Sequence, residues 1–231
     1  MGDSGEGGNS EATVCSGGAC RTIARMPSRS TAQTHPRYNA LLAEWGELLR
    51  RCQDAPESAP DPAPYGRDLL DRWAEPQRRY HTLDHLVAVL NRVTELTAYC
   101  DDPDSVTLAA WFHDAVYRPD RSENEERSAH LAERALREAG LPDDRVAEVT
   151  RLVRLTILHD PAPGDRNGEV LCDADLAVLA GDPAEYAAYA AAVREEYAFV
   201  PDELFRTPYG RTEWEPVARR NLATELELLG A

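Results

Sequence analysis

The stretch Leu108-Ala-Ala-Trp-Phe-His-Asp-Ala-Val-Tyr117 places a histidine and an aspartate in an otherwise apolar segment. This composition predicts a helix from Ser105 to Tyr117 that is buried on most sides. Charged groups are rarely buried unless they are paired or bind a metal. Because neighbouring side chains on a helix diverge by about 100°, His113 and Asp114 rarely serve one packing purpose. The segment predicts a buried helix of an all-α protein, with an ion pair or a metal site at the dipeptide.

The rest of the chain also has helical periodicity, and period-two strand patterns are nearly absent. Apolar spacing predicts helices over residues 38–52, 81–99, 105–117, 122–139, 142–158, 171–179, 183–200 and 214–229. A Pro- and Ala-rich stretch, 54–64, is predicted to be a loop. Residues 1–36, rich in Gly, Ser, Thr and Ala, are predicted to form a disordered tail, and residues 37–231 a single helical domain.

Composition limits the partners of this chain. Its formal net charge is -16, with a pI of about 4.8, which argues against general nucleic-acid binding. A small phosphorylated substrate is still compatible, because a bound cation inverts the local field. Five scattered cysteines without a Cys-x-x-Cys pair favour reduced thiols. With no apolar run long enough to span a membrane, we expect a cytoplasmic protein without membrane contact.

Further ligand candidates lie on either side of the dipeptide. His81 and His85 are four residues apart, so on a helix they project from one face. Downstream, Asp173 and Asp175 point to different sides of a helix, so we expect one to bind and the other to cap the helix. Imidazoles with carboxylates suit a divalent ion (Mn, Fe, Ni, Zn or Mg) that keeps positions open for water and substrate.

Four motifs follow in order: Tyr80-His81-x-x-x-His85, Trp111 to Tyr117, Asn124-Glu-Glu-Arg-Ser-Ala129 and Leu171-Cys-Asp-Ala-Asp-Leu176. Together they resemble the HD superfamily of metal-dependent phosphohydrolases, all-α proteins named for the His-Asp dipeptide, and within it a predicted-phosphohydrolase subgroup. Tyr197-Ala-Phe-Val-Pro201 and Asn221-Leu222 also look like that subgroup, so the resemblance covers about residues 37 to 229. It implies an HD-type helical bundle that holds one or two divalent ions. The implied ligands are His85, His113, Asp114 and Asp173.

The upstream motif is also similar to the signature of cyclic-nucleotide phosphodiesterases, which share the HD core. That likeness implies that His81 is a general acid and His85 a metal ligand. Thr82 stands where those enzymes have Asn, and this sequence lacks the rest of their large catalytic domain. The likeness therefore extends to the geometry of the two histidines and not to the substrate. The implied reaction is hydrolysis of a phosphoester by metal-activated water. We expect a small phosphorylated substrate, in the first place a nucleotide.

Other residues near the motifs have two interpretations each. Glu125 either acts at the site, behind the metal or on the water, or is an acid that the helix dipole favours. His159 either lies at the site edge, against a second metal or the substrate phosphate, or caps a turn. Arg78, Arg79 and Arg118 either clamp phosphate oxygens or are solvated surface groups.

The sequence is also compatible with two alternative functions. Some HD proteins hold two irons and use oxygen, which here would need extra ligands such as Glu125 and His159. A non-catalytic, nucleotide-binding regulatory HD domain would keep the metal for structure alone. Because no helix has a sustained heptad seam, the sequence gives no oligomeric state.

Overall fold

The computed structural model describes residues 13–14, 21–22, 30–196, 207, 209–214, 216–217 and 220. Within this described part, eight α-helices follow one another: α1 Tyr38–Cys52, α2 Ala63–Trp73, α3 Leu83–Glu95, α4 Pro103–Phe112, α5 Asn124–Glu138, α6 Asp143–Leu155, α7 Arg166–Leu176 and α8 Pro183–Glu196. Shorter helical turns cover Ala32–Thr34, Thr97–Tyr99, Ala177–Ala180 and Gly210–Trp214. The predicted all-α class is confirmed. None of the described helices is long and apolar enough to cross a membrane.

The chain divides into two units, residues 1–30 and 31–231. In the first, Thr13–Val14 pairs antiparallel with Arg21–Thr22; most of the predicted disordered tail lies outside the described residues. The second unit begins six residues before the predicted boundary at 37. Its first turn, Ala32–Thr34, is a 3-10 helix whose Ala32 is fully buried.

Helix α4 is the centre of the helical unit and contacts α1, α3, α5, α6 and α7. Its apolar residues leave no polar face, and a helix of that kind is stable only when it is surrounded by other helices. At its end, Trp111 and Phe112 pack edge-on against Trp45 of α1, with ring centroids 5.3 and 5.9 Å apart. The predicted burial of this segment is confirmed.

Helix α2 is missing from the sequence prediction, which assigned the stretch before it to a loop. Pro64 stands in its first turn, where the missing N–H costs nothing. Trp73, at the end of α2, is fully buried and donates its Nε1 hydrogen to the carbonyl of Trp111, 3.0 Å away. Gly66 brings α2 close to α1: a Cβ there would lie 2.5 Å from Cδ1 of Trp45.

Three predicted helices have different ends, and each difference concerns the site. The helix predicted from 81 begins at Leu83, the one predicted to reach 117 ends at Phe112, and the one predicted from 171 begins at Arg166 behind the capping side chain of Asp165. Other predictions agree better: α1 has the predicted bounds, and α5 is followed by Gly140 at φ +82°. Residues 197–200 and most of the helix predicted over 214–229 lie outside the described residues.

Candidate metal centre

Three buried side chains from two separate segments meet in one cluster. His85 on α3, with His113 and Asp114 after α4, each offer a ligand atom, and these atoms lie within 4.8 Å of one another. The Nε2 atoms of the two histidines are 3.4 Å apart, and Nε2 of His113 is 3.4 Å from Oδ2 of Asp114. This group could hold a metal ion.

The end of α4 explains how adjacent residues reach one point. His113 is the C-cap of α4 and Asp114 lies in the turn that follows, so the 100° divergence expected within a helix does not separate them. Nδ1 of His113 donates a hydrogen bond to the carbonyl of Ala110 at 2.8 Å. In the neutral ring this bond leaves the Nε2 lone pair directed at the cluster, the arrangement that metal-binding histidines use.

From the third segment, Asp175 lies at the cluster, whereas Asp173, the ligand implied by the resemblance, does not. Oδ1 of Asp175 lies 3.1 Å from Nε2 of His85 and 3.5 Å from Nε2 of His113, whereas Asp173 is exposed. Both follow the fully buried Leu171 on α7. Four residues on from Leu171 is nearly the same face, and two residues on is about the opposite face. Because both lie in the C-terminal half of α7, the predicted capping role falls to neither of them.

The structure brings His159 to the same carboxylate. Its Nε2 atom is 2.8 Å from Oδ2 of Asp175, on the other oxygen from the one that faces His85. His159 has a φ of 50°, in the left-handed region, and its N–H bonds the carbonyl of Leu155 at 2.9 Å, which ends the turn after α6. His159 therefore has both predicted features. It ends the turn after α6, and this turn places its imidazole at the edge of the cluster.

His81 lies before α3, in the segment that leads to His85. Its ring stacks on Tyr117, with centroids 4.4 Å apart, and its Nε2 atom is 3.7 Å from Oδ2 of Asp114. Its Nδ1 atom contacts Oε1 of Glu196, the last residue of α8. The ring of His81 therefore lies between the carboxylate of Glu196 and that of Asp114 in the cluster.

Glu196 is a site residue that the sequence did not single out. It is only 4 % exposed, and its Oε2 atom accepts the backbone N–H groups of Arg79, Tyr80 and His81 at 2.7, 2.9 and 3.2 Å. In the sequence it looks like any other acid of a charged helix. The one signal is its place directly before Tyr197, where the last motif begins.

The pKa values of His81 and Glu196 are shifted in opposite directions. Burial lowers the pKa of His81, but Asp114 and Glu196 together raise it above its ordinary value. Burial raises the pKa of Glu196, but the bonds from His81, from the N–H of Arg79 and from Tyr117 lower it to about 2. The His81 imidazole and the Glu196 carboxylate therefore each favour the charged form of the other.

The cluster itself attracts positive charge. Burial lowers the pKa of His113, but Asp114 and Asp175 raise it to about 9. Burial raises the pKa of Asp175, but His113, His159 and His85 lower it by more. The pKa of this carboxyl therefore lies well below its ordinary value. His85 has a lowered pKa because of its burial. Two carboxylates enclosed with two imidazoles favour a bound cation, either a proton or a metal ion.

Glu125 is half-buried on α5. In the described part of the chain, no hydrogen bond or ion pair joins its side chain to the cluster or to another residue. Its motif instead fastens the segment that follows the dipeptide. Buried Asn124 accepts the N–H of Arg118 at 3.0 Å and donates to its carbonyl at 2.9 Å, and the hydroxyl of Ser128 accepts the N–H of Val116 at 3.0 Å.

The three arginines beside the motifs have different positions. The side chain of Arg78 is fully buried and donates to the carbonyls of His81 and Asp114, both at 2.9 Å, so it joins two segments of the site and cannot clamp a phosphate. Arg79 lines the cavity beside the cluster and is paired with Glu195 at 2.8 Å. Arg118 lines a different cavity.

A cavity of about 510 Å³ opens beside the cluster, between α3, α7 and α8. His85 and Asp175 form part of its wall, as do the rings of Tyr80 and Tyr189, whose centroids are 4.7 Å apart. Alanines and valines of the three helices line the remainder, and Arg79 and Arg92 bring positive charge to it, with Asp84 and Glu185 as the acids.

No protein-family model, no curated protein and no solved structure matches this chain.

Proposed function

We propose that this chain is a metal-dependent phosphohydrolase of the HD type that cleaves a phosphoester of a small phosphorylated compound. The observation that carries the proposal is the convergence of His85, His113, Asp114 and Asp175 from three segments on one buried point beside a cavity. Two imidazole nitrogens and two carboxylates fit Mn, Fe, Ni, Zn or Mg. Such an ion, when bound, lowers the pKa of a coordinated water and polarises a phosphoryl oxygen.

The protein's own part in the reaction is to deliver a proton. Glu196 accepts the hydrogen on Nδ1 of His81, which leaves the Nε2 hydrogen facing the cluster. The raised pKa of His81 favours the protonated ring, which can donate from Nε2 to the leaving oxygen. General acid catalysis of this kind is worth about 10²- to 10⁴-fold.

The cavity supports a small organic phosphate as substrate. Its volume of about 510 Å³ is within the usual range for small-molecule sites. The rings of Tyr80 and Tyr189 offer a surface for a flat organic group, and Arg79 and Arg92 offer positive charge for a phosphate. A nucleotide meets both requirements, whereas a net charge of -16 disfavours a polynucleotide.

A centre with two ions is the second candidate, and Asp175 is the observation that favours it. One oxygen faces His85 and His113 while the other faces His159, so the carboxylate lies between two imidazole groups. The di-iron oxygenase alternative needs further ligands, and of its two candidates, Glu125 and His159, it is His159 that contacts Asp175.

The test is metal analysis of the purified full-length chain, followed by assays with nucleotides and generic phosphoesters in the presence of Mn, Fe, Ni, Zn or Mg. We expect phosphate release that depends on the metal and is lost in Asp175→Asn. Absence of turnover in protein with confirmed metal occupancy would overturn the proposal. Binding of a nucleotide without turnover would indicate a regulatory domain, and two irons per chain with oxygen-dependent turnover would indicate an oxygenase.

A further inference from the structure

A second cavity, of about 330 Å³, lies where the α4–α5 connection meets the end of α2. Four guanidinium groups line it, from Arg72, Arg118, Arg121 and Arg127, against the single carboxylate of Glu75. None of the four cluster residues is in its wall. This concentration of positive charge stands out in a chain with 41 acidic and 25 basic residues.

Two of these arginines have no acidic partner. Arg72 is paired with Asp68 and Arg118 with Asp120, as most described arginines are with some acid. By contrast, no hydrogen bond or ion pair joins the side chain of Arg121 or Arg127 to any residue of the described ranges. The same holds for Arg134, which lines an adjoining cavity of about 290 Å³ that shares Arg72 and Arg127 with the first. Unpaired like charges that converge on a concave surface create a local positive potential that attracts anions.

The segment that carries Arg118 and Arg121 is held in place before any ligand binds. Nδ2 of Asn124, a residue 5 % exposed, donates to the carbonyls of both arginines, at 2.9 and 3.1 Å, and its Oδ1 accepts the N–H of Arg118. An arginine-bearing segment with a fixed backbone loses less conformational entropy on binding than a free one. The preorganised segment and the cavity together indicate a site for an anion.

The lining indicates which anion. Guanidinium groups bind phosphate oxygens through paired N–H bonds, and several of them suit an anion with more than one phosphoryl group. Apart from Val116 and Tyr117, the wall offers no apolar surface for an organic group. We propose that this cavity binds a compact polyphosphate group, either free pyrophosphate or the phosphoanhydride part of a larger molecule. The proposal does not depend on the phosphohydrolase activity, because no ligand of the metal cluster takes part.

Titration calorimetry of the full-length chain with pyrophosphate, at low ionic strength and with excess chelator, tests the site. We expect a Kd on the order of 1 mM or tighter, weakened at least about tenfold in Arg121→Ala/Arg127→Ala. Orthophosphate should bind more weakly than pyrophosphate. ADP binding as tightly as pyrophosphate, with the same loss in the variant, would identify the phosphoanhydride of a larger molecule as the ligand.

Two controls make the result specific. Arg137→Ala removes an exposed arginine that lies on α5, as Arg127 does, and is paired with Glu133. This variant should bind pyrophosphate like the unaltered protein. Arg79→Ala/Arg92→Ala alters the cavity beside the cluster, where the proposed substrate binds, so the pyrophosphate binding that this variant keeps belongs to the second cavity. The proposal is overturned if the chain binds no pyrophosphate at about 10 mM, if Arg121→Ala/Arg127→Ala binds normally, or if Arg79→Ala/Arg92→Ala abolishes binding. Circular dichroism of each variant verifies the fold.

Discussion

His159 and Asp175 are joined through Nε2 and Oδ2 at 2.8 Å, so this imidazole holds the carboxylate whose other oxygen faces His85. The contact links the turn after α6 to the end of α7. A group that orients a metal-binding carboxylate affects metal affinity even when it does not bind the metal ion itself.

Removal of this outer imidazole gives the first prediction. We expect His159→Ala to lower metal affinity about 10- to 100-fold, because Asp175 loses the group that orients it. The control is His130→Ala, which removes an exposed histidine of α5. Equal metal affinity of the two variants, measured by competition with a chelator, would show that His159 has no part in the centre.

The two aspartates of α7 form a matched pair for the second prediction. Asp175→Asn removes an oxygen ligand and should weaken metal binding by at least about a hundredfold, more than the loss of an outer group. Asp173→Asn changes the exposed residue two positions earlier and should leave metal content and activity unchanged. The opposite result would restore Asp173 as the ligand.

The third prediction concerns Glu196 as a positioning residue for His81. Glu196→Gln keeps the size of the side chain but removes the charge that holds the imidazolium, so kcat should fall about 10²-fold or more while KM and metal content stay close to their original values. Glu195→Gln, which alters only the surface partner of Arg79, is the control. A loss of metal together with activity in Glu196→Gln would indicate a structural role alone.

The depressed pKa of Glu196 gives the fourth prediction, the dependence of the free energy of unfolding on pH. The pKa of Glu196 falls from its ordinary 4.5 to about 2, which corresponds to about 3 kcal/mol at 1.36 kcal/mol per pKa unit. Because the folded-state pKa is depressed, this stabilisation is complete above pH 4.5 and is lost as the pH falls towards 2. His81, Tyr117 and Arg78 are the groups that interact with it.

Urea unfolding of the unaltered chain and of Glu196→Gln between pH 7 and pH 3 measures this effect. The difference in the free energy of unfolding should shrink as the pH falls from about 5 to 3, because the Glu196 carboxylate contributes less of its stabilisation there. A difference that does not change with pH would mean that Glu196 has an ordinary pKa.

Close packing of α1 and α2 gives the fifth prediction. A Cβ at Gly66 would lie 2.5 Å from Cδ1 of Trp45 and 2.9 Å from Cδ1 of Leu42, so Gly66→Ala should destabilise the fold by about 1 to 3 kcal/mol. At Gly46 on α1 a Cβ meets only the flexible guanidinium of Arg50, at 3.3 Å. Gly46→Ala should be neutral or stabilising by up to about 1 kcal/mol. Thermal unfolding of both variants makes the comparison.

Much of the fold could be predicted because the signals are local. Apolar residues at helical spacing gave the bounds of α1, and the wholly apolar segment before His113 predicted a buried helix. The helix α2 escaped prediction because the prolines before and within its first turn resemble those of a loop. A proline in the first turn is compatible with either structure, and only the packing of Trp73 and Gly66 decides between them.

The site residues likewise fall into those that local sequence signals predict and those that only the packing of the helices reveals. The sequence by itself singled out His113 and Asp114, because polar residues in an apolar setting are visible without a structure, and His85 by its spacing from His81 and its motif. Only the tertiary structure decided between Asp173 and Asp175, since the inward face of α7 depends on the helices it packs against. Glu196 is 115 residues from the His81 ring it holds, and Arg72 is 55 residues from Arg127, with which it shares a cavity. Contacts over such separations leave no periodicity in the chain, because chain folding and not residue spacing brings them together.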